Sequence, residues 1–465
     1  MSEAEVDFSQ VDHKLEQLYP QMEKHLLQLL SYPSVEEPSA GTGAPFGQAV
    51  ADALSYCLEL AESLGLPTTN ADGYLGTADM RGSSPELVGV LSHLDVVPAN
   101  ANDWQTPPFS PQVRDGRIYG RGALDDKGPL IASLYAGIAL RDTINHPLTK
   151  TVRFMFGCNE ESGFGCLKYY LQHHQPPSIG FSPDAEFPLI SGEKGICHFV
   201  LSSSWQSVQG APLQICQITA GSAINIVPDR AEAVLELNGA ELPDAAPQIS
   251  LTREGNLLHI KATGKAAHAS TPEEGDNALA RLLAFLAQLP LEPSGASYYI
   301  RTLARLFADS CFGASLGVAS EDEVSCLTVI PSVLELDAKG GTLRCDMRFP
   351  VTHTGDSYQQ QLSSLAAQYQ MQLQILELQE PMYAGTDNPV AKKLLQAYRD
   401  YTGDLSEPLV IGGGTYAKAL PGFLAFGPEF AHTPKLCHQA NEYITQKDLL
   451  DAAKIYSRAI YALAR

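Results

Sequence analysis

The sequence predicts an α/β domain with a mostly parallel sheet, interrupted by an inserted α+β domain. Three observations lead to this prediction. Short apolar runs bounded by turns alternate with helical segments up to about residue 190, which is typical of buried parallel strands joined by helices. From residue 196 to about 380, strands with alternating polarity predominate. After that, helices flank another short α/β stretch, so the first domain resumes.

The α/β part opens with two predicted helices. Apolar residues recur at helical spacing over 11–31, with a kink or restart at Pro20 and an end near Pro33. A second helix is predicted over 47–64. The next elements are two buried strands and the helix between them: Leu87–Leu91, Thr151–Phe156 and Pro129–Leu140.

The inserted part is predicted to be a sheet with two amphipathic helices, near 276–289 and 357–370. Its strands are Cys197–Ser202, Ala231–Leu237, Leu257–Ala262 and Thr342–Phe349. Helices near 388–402 and 447–464 belong to the resumed first domain. With junctions near the prolines at 188 and 381, the predicted domains are 1–187 with 386–465, and 188–385.

Composition restricts the class of protein. The chain has 465 residues and 44% hydrophobic residues, enough for a sizeable core. Its formal net charge of −22 disfavours binding to nucleic acid or to an anionic membrane surface, and no apolar run is long enough to span a bilayer. The nine cysteines have no C-x-x-C spacing, and the first residues lack a signal-peptide pattern. A soluble cytoplasmic enzyme is the expectation.

Histidine and acidic residues follow the predicted strands. His93 and Asp95 come directly after the first buried strand, and residues two apart in extended chain face the same way. The Asp95 carboxylate can therefore accept a hydrogen bond from the His93 ring and orient it. Glu160 and Glu161 follow the second strand, where one can bind a metal and the other can move protons. A solvent-facing strand end and an exposed acidic turn are the alternative interpretations.

Three further groups complete the pattern. Asp125 and Asp126 are adjacent carboxylates before a predicted helix. One of them caps the helix, or the two are buried together and need a cation. Asp184 lies in a turn, and His438 lies far along the chain. Imidazole and carboxylate ligands together suit Zn²⁺, with Mn²⁺ or Co²⁺ as substitutes, and the absence of H-E-x-x-H excludes a thermolysin-like site.

These groups, in this order, resemble the di-zinc metallopeptidases related to aminoacylase and glutamate carboxypeptidase. The resemblance spans nearly the whole chain and is strongest to the peptidase V-type dipeptidases, which include Xaa-His dipeptidase and carnosinase-like enzymes. The segments that carry it are G-R-G-A-L-D-D-K-G-P from Gly120 and N-E-E-S-G-F-G from Asn159. It implies a discontinuous catalytic domain interrupted by a lid domain, and the hydrolysis of dipeptides with a free N-terminal amine.

The resemblance also assigns the metal ligands and the general base. His93 and Asp184 would hold one zinc ion, Glu161 and His438 the other, and Asp125 would bridge both; the Asp125–Asp126 peptide is expected to be cis. A hydroxide bridging the two ions would attack the scissile carbonyl. Glu160 would take the proton of that water and return it to the departing amine, and Asp95 would orient His93. These site residues are, in order, His93, Asp95, Asp125, Glu160, Glu161, Asp184 and His438.

The lid would supply residues that contact the substrate. His268 matches the family's oxyanion-stabilising histidine and Asn225 a residue that contacts the tetrahedral intermediate. Arg348 could grip the substrate carboxylate through a two-pronged pair, and Gly413 and Gly414 could offer it main-chain N–H groups. The alternatives are a surface-turn histidine for His268 and an ordinary strand-surface arginine for Arg348.

Lid length bears on the oligomeric state. Dimeric members of this family have a lid about half this size and borrow the histidine from the partner subunit. The longer insertion, residues 188–385, could place His268 over the active site of its own chain. A self-sufficient monomer is therefore expected.

Three other functions compete, of which the third, a binding protein that keeps the fold without catalysis, would be expected to lose one ligand or the base, and this sequence retains all of them. Gly313–Gly317 fits G-x-S-x-G, which would make Ser315 the nucleophile of a serine hydrolase, but that motif needs a preceding strand, and the segment before it has a helical pattern. An N-acyl-amino-acid deacylase would use the same ions and base on an amide substrate. The triple glycine and the long lid favour the dipeptidase by resemblance.

Overall fold

The computed structural model describes residues 6–206, 213–239, 244–291, 293–309, 311–385 and 387–465. The first five residues, at which the sequence lacks a signal-peptide pattern, and residue 386, a predicted domain boundary, lie outside the described part. The chain divides into two compact units. Unit 1 comprises the residues up to Ser191, Ala384–Leu409 and Thr415–Arg465, and unit 2 comprises Gly192–Tyr383 and Val410–Gly414.

The helices and strands are numbered in chain order. The helices are α1 Phe8–Leu30, α2 Gln48–Ser63, α3 Lys127–Thr143, α4 Gly165–His173, α5 Ala278–Gln288, α6 Gly295–Leu306, α7 Gly355–Gln368, α8 Pro389–Thr402 and α9 Gln446–Ala464. The strands are β1 Thr68–Ala71, β2 Leu75–Met80, β3 Leu87–His93, β4 Gln112–Arg114, β5 Arg117–Tyr119, β6 Thr151–Gly157, β7 Ile179–Ser182, β8 Ala185–Glu186, β9 Ile190–Glu193, β10 Gly195–Ser204, β11 Leu213–Ala220, β12 Arg230–Leu237, β13 Ile249–Glu254, β14 Leu257–Thr263, β15 Thr328–Leu336, β16 Gly340–Phe349, β17 Gln372–Gln379, β18 Met382–Tyr383, β19 Leu409–Ile411, β20 Phe423–Ala425, β21 Pro428–Glu429 and β22 Tyr443–Thr445.

The main sheet of unit 1 has a parallel centre. Its strands run in the order β1-β2-β6-β3-β7-β20, followed by the first residue of β9. The pairs β6–β3, β3–β7 and β7–β20 are parallel, whereas β1–β2, β2–β6 and β20–β9 are antiparallel. The predicted α/β fold is confirmed. Because β6, β3 and β7 are parallel neighbours, their carboxyl ends meet at one edge, where α/β sheets commonly bind ligands.

Three helices of unit 1, α1, α3 and α9, pack against one another. Helix α3 contacts both α1 and α9, and its residues Lys127–Leu140 are buried throughout. Helix α1 continues through Pro20 without a break, so the helix does not restart there. Its buried residues, among them Val11, Leu15, Met22 and Leu26, follow the helical period seen in the sequence.

Unit 2 is an antiparallel sheet packed against α5, α6 and α7. Its strands run in the order β13-β14-β12-β11-β15-β16-β10-β17. Along β12, buried and exposed residues alternate, so one face meets the helices and the other meets solvent. The predicted α+β unit is confirmed. Strands β11, β13, β15 and β17 were not among the elements predicted for it, whereas α6 includes most of the segment before Gly313 that has a helical pattern in the sequence.

Two properties bear on the class of protein. In the residues that the structure describes, the cysteines are free thiols, and most are buried. Among the same residues, no helix has the length and apolar character needed to span a membrane.

Candidate metal centre

The predicted metal ligands lie at the carboxyl edge of the unit 1 sheet. His93 is the last residue of β3, the Glu160–Glu161 pair follows β6, and Asp184 follows β7. Asp125 precedes α3, and the Asp125–Asp126 peptide bond is cis, as the resemblance implies. His438 lies between β21 and β22.

Asp125 stands between the two histidines. Its Oδ1 lies 3.0 Å from Nε2 of His93, and its Oδ2 lies 3.1 Å from Nε2 of His438. The same His438 nitrogen is 3.1 Å from Oε2 of Glu161. The ligand atoms of His93, Asp125 and Glu161 all lie within 4.8 Å of one another. The Asp125 carboxylate therefore has His93 at one oxygen and His438 at the other.

Asp184 completes the group on the His93 side. Its Oδ2 is 3.9 Å from Nε2 of His93, and its side chain is 15% exposed. Burial raises the pKa of Asp184, and the negative charge of Asp125 raises it further, to about 6. Burial also raises the pKa of Glu160 well above its usual value, despite the opposing charge of His93. Without a cation, these carboxylates disfavour one another's charge.

The pKa values of His438 and Asp125 shift in the direction that favours the charged form of each group. Hydrogen bonds to Asp125 and Glu161 raise the pKa of His438 to about 11. For Asp125, burial would raise the pKa, but the hydrogen bonds from His438 and His93 outweigh it and lower the pKa. Buried imidazole nitrogens and carboxylate oxygens that converge in this way form a donor set suited to divalent cations such as Zn²⁺. The residues present therefore fit a metal pair.

The sequence predicts that the Asp95 carboxylate accepts a hydrogen bond from the His93 ring, but the structure shows a different contact. Nδ1 of His93 contacts the main-chain oxygen of Asp95 at 2.9 Å, whereas the nearest carboxylate oxygen is 3.7 Å away. The Asp95 carboxylate instead accepts the main-chain N–H groups of Glu160 and Glu161, both at 3.0 Å. The side chain turns toward the neighbouring loop because that loop offers two adjacent donors. Asp95 thus contacts His93 through its backbone and fixes the glutamate loop through its side chain.

The loop that carries Glu160 and Glu161 also contains Asn159, whose carboxamide bonds to two later residues of the chain. Nδ2 donates to Oγ of Ser162 at 2.7 Å, and Oδ1 accepts from the main-chain N–H of Gly165 at 2.8 Å. An aspartate could not make the donated bond in its charged form. Asn159 therefore holds the segment around the two glutamates.

Two residues of this site have contacts that the sequence did not predict. Glu442 is fully buried and accepts hydrogen bonds from the Gly120–Asp125 segment, including Nη1 of Arg121 at 2.6 Å. Asp126 accepts the main-chain N–H of His93 through Oδ2 at 3.0 Å. Their acidic character beside predicted ligands was the only sequence signal, since Glu442 and Arg121 are 321 positions apart.

The predicted lid residues lie in unit 2, and several lie close together. Ile226, next to Asn225, forms a β-bridge with His268, and Asn225 accepts the N–H of Ala269 at 2.9 Å. Asn225 and His268 are exposed. Nδ1 of His268 lies 2.7 Å from Oγ of Ser270 and 3.2 Å from the main-chain nitrogen of Ser270.

Arg348 belongs to the same part of unit 2. Its Nε and Nη2 each lie 2.6 Å from an oxygen of Asp346, and its Nη1 donates to the main-chain oxygen of Gly412 at 3.1 Å. The residue is 4% exposed, so the strand-surface interpretation is wrong. The two-pronged pair is formed with Asp346, whose buried carboxylate needs a cation. Arg348 thereby contacts the segment that contains Gly413 and Gly414.

The structure does not give Ser315 the setting of a nucleophile. Helix α6 leads toward it rather than a strand, and the residues from Ala314 to Gly317 form a turn. The G-x-S-x-G motif requires a strand before the serine and a helix after it. The serine hydrolase alternative is therefore excluded by its local geometry.

Comparison with known proteins finds a matching family and similar chains. The Peptidase family M20/M25/M40 matches residues 89–462. The "Putative dipeptidase YtjP" of Bacillus subtilis is 36% identical over 443 residues, covering 93% of this chain and 94% of its own. A second relative, the "Putative dipeptidase" of Staphylococcus epidermidis, is 35% identical and covers 95% of this chain and 97% of its own.

Solved structures share the fold. Human carnosine dipeptidase 1 superposes with a TM-score of 0.59 at 14% identity, covering 99% of each chain. The YXEP protein of Bacillus subtilis, described as a dinuclear metal-binding peptidase, gives a TM-score of 0.54 at 10% identity, covering 97% of this chain and 99% of its own. Since the family match spans most of the sequence, the chain belongs to Peptidase family M20/M25/M40.

Proposed function

We propose that this protein is a metal-dependent dipeptidase that hydrolyses the peptide bond of dipeptides with a free N-terminal amine. The observation that carries the proposal is the convergence of His93, Asp125, Glu161 and His438, with Glu160 on the same loop as Glu161. Family membership gives the reaction class. The names of the relatives, dipeptidase and carnosine dipeptidase, support the substrate class.

The ligand set proposed for the metals divides into two sides. His93 and Asp184 would hold one ion, Glu161 and His438 the other, and Asp125 would contact both. The mixture of imidazole and carboxylate favours Zn²⁺, with Mn²⁺ or Co²⁺ as substitutes. Bound there, two such cations supply Lewis acidity and lower the pKa of a water molecule toward about 7.

Glu160 is proposed to move the proton. Its carboxylate takes a proton from the attacking water and passes it to the nitrogen of the departing amine, so that the amine leaves neutral. The position of Glu160 supports this role, because the Asp95 carboxylate fixes its main-chain N–H and that of Glu161 together. The proton carrier and a metal ligand are thereby held on one rigid turn.

His268 is proposed to stabilise the oxygen that becomes negative when water attacks the carbonyl. The N–H of Ser270 points at Nδ1, which favours the tautomer with the proton on Nε2, and Nε2 is the proposed donor. A donor aimed at developing charge is the usual means of stabilising such an oxyanion. Asn225, which lies beside the same bridge, would contact the same intermediate.

The substrate carboxylate is proposed to meet the triple-glycine segment. Gly413 and Gly414 would offer main-chain N–H groups, and Arg348 would contribute its positive charge from the same place. The bond from Nη1 of Arg348 to Gly412 supports a joint role. We further propose Zn²⁺-dependent activity in a cytoplasmic monomer, in which unit 2 serves as the lid for its own chain.

The test is hydrolysis of a substrate panel by metal-stripped protein, with Zn²⁺, Mn²⁺ or Co²⁺ added back singly. Free dipeptides, N-acetylated dipeptides and N-acetyl amino acids form the panel. We expect no activity without metal, and restored cleavage of free dipeptides in preference to the acetylated compounds. Preferential cleavage of N-acetyl amino acids would instead identify a deacylase, and activity of the metal-stripped protein would contradict the metal chemistry.

A further inference from the structure

One buried carboxylate fastens together the two segments that carry Asp125 and His438. Glu442 is fully buried, and each of its two carboxylate oxygens accepts two hydrogen bonds. Oε2 accepts from Nη1 of Arg121 at 2.6 Å and from the N–H of Gly122 at 3.2 Å. Oε1 accepts from the N–H of Leu124 at 2.8 Å and from the N–H of Asp125 at 3.2 Å.

The connection joins residues far apart in sequence. Glu442 follows His438 by four positions, so it fixes the end of the segment that contains this histidine. Its contact with the N–H of Asp125 spans 317 positions. A second bond, from the N–H of Gly120 to the main-chain oxygen of Glu442 at 3.2 Å, holds the same two segments. The distance between Asp125 and His438 therefore depends on this carboxylate.

The other side of the site is fixed by different contacts. His93 ends strand β3, its N–H donates to Asp126 at 3.0 Å, and its ring contacts the main chain of Asp95 at 2.9 Å. Asp184 lies two positions after the end of strand β7. Neither of these two bonds of His93 involves Glu442. Asp125 is shared by both sides of the ligand set, but of the two histidines only His438 lies on the segment that Glu442 fastens, so loss of Glu442 bears more on the His438 side.

We propose that Glu442 is a positioning residue that selectively supports the metal position formed by Asp125, Glu161 and His438. Loss of its carboxylate weakens binding at that position before it affects the position of His93 and Asp184. The inference rests on the ligand set proposed above. It adds that binding of the two ions depends unequally on Glu442, a residue that would contact neither the ions nor the substrate.

The variant Glu442→Gln tests the proposal with little change in volume. All four partners of Glu442 are N–H donors, so the amide nitrogen of glutamine would face donors instead of an acceptor. The measurement is Zn²⁺ titration of metal-stripped protein, with bound metal counted by elemental analysis. We expect wild type to bind two ions and the variant to bind one ion normally and the other about 10–100-fold more weakly.

The matched control is Asp79→Asn, which removes a two-pronged pair with Arg153 elsewhere in unit 1. Both oxygens of Asp79 lie 2.8 Å from Arg153 nitrogens. This variant should bind two ions as wild type does, because Asp79 contacts none of the proposed ligands in the described bonds. Near-ultraviolet circular dichroism of both variants verifies the fold. Should Glu442→Gln not fold, Arg121→Lys replaces it, with a smaller weakening of the same ion expected.

Several results would overturn the inference. Two ions bound with wild-type affinity by Glu442→Gln, or by Arg121→Lys if that variant is used, would show that the carboxylate does not support the site. Equal weakening of both ions would remove the selectivity. Fewer than two ions in wild type would refute the ligand set itself, and that failure is visible without any variant.

Discussion

Glu160 and Glu161 are neighbours in sequence with different expected functions. Glu161 lies 3.1 Å from His438 through Oε2, whereas no such ligand contact is described for Glu160. We expect Glu160→Gln to retain both metal ions and to lower kcat by about 10²–10⁴-fold, because the amide cannot transfer the proton. Turnover and metal content should be measured on the same preparation. Near-normal turnover in a fully metal-loaded variant would remove Glu160 from the mechanism.

Asp95 gives the contrasting result at the same loop. Its two oxygens each accept one N–H of the glutamate pair, so Asp95→Asn replaces one acceptor with a donor. We expect both metal content and kcat to fall, unlike the outcome for Glu160→Gln, because the loop that carries both glutamates loses its anchor. Parallel metal analysis and kinetics separate the two patterns. A variant that loses turnover alone would contradict the anchoring role.

His268 is the third residue whose role can be tested singly. Its Nε2 is expected to donate to the oxyanion, and His268→Ala should lower kcat by about 10²–10³-fold. The control is Ser270→Ala, which removes the hydroxyl 2.7 Å from Nδ1 but leaves the main-chain N–H that sets the tautomer. Steady-state kinetics should show a much smaller effect for the control. Equal losses in both variants would contradict the donor assignment.

At the scale of elements, periodic segments were predictable and irregular ones were not. The helix predicted over 447–464 is α9, and the strand predicted at Thr151–Phe156 is β6, because their apolar residues follow one period. Strand β15 was missed since it contains Pro331. The register shifts between Pro331 and Val333, and such an irregularity tolerates a residue without an N–H.

The candidate site follows the same division. Strand ends marked His93 and Glu161, because parallel strands bring their carboxyl ends together whatever their separation in sequence. The support from Glu442 could not be predicted, since it depends on which distant N–H groups its buried oxygens reach. The partner of Arg348 was missed although it is close in sequence. Asp346 is two positions away on the same strand, where both residues face one side.

Strand β16 offers a test of this buried pair against an exposed one in the same unit. The Arg348 and Asp346 side chains are 4% and 0% exposed, whereas those of Arg281 and Asp276 are 23% and 39% exposed. We expect Asp346→Asn to lower the free energy of unfolding by about 3–5 kcal/mol, because it leaves a buried charge without its partner. Asp276→Asn should cost about 0–1 kcal/mol. Urea denaturation of both variants measures the difference, and similar values would contradict the argument from burial.

At the scale of the whole molecule, the residues proposed for the reaction are distributed over both units. The proposed metal ligands belong to unit 1, whereas His268, Asn225 and Arg348 belong to unit 2. A single chain therefore contains every residue that the proposed reaction needs. A mixture of two variants has a different activity if each site uses the lid of its own chain than if it uses the lid of a second copy. This difference makes the expected monomer testable by activity as well as by mass.

The decisive experiment mixes two inactive variants, Glu160→Gln and His268→Ala. In a self-sufficient monomer each chain keeps its own defect, so we expect the mixture to be no more active than its components. If subunits exchanged and shared sites, half of the dimers would be mixed, and each would have one intact site, restoring about a quarter of wild-type activity. The mixture should be unfolded and refolded together to permit exchange, and light scattering should give the mass of one chain. Restored activity would establish a shared site and refute the monomer.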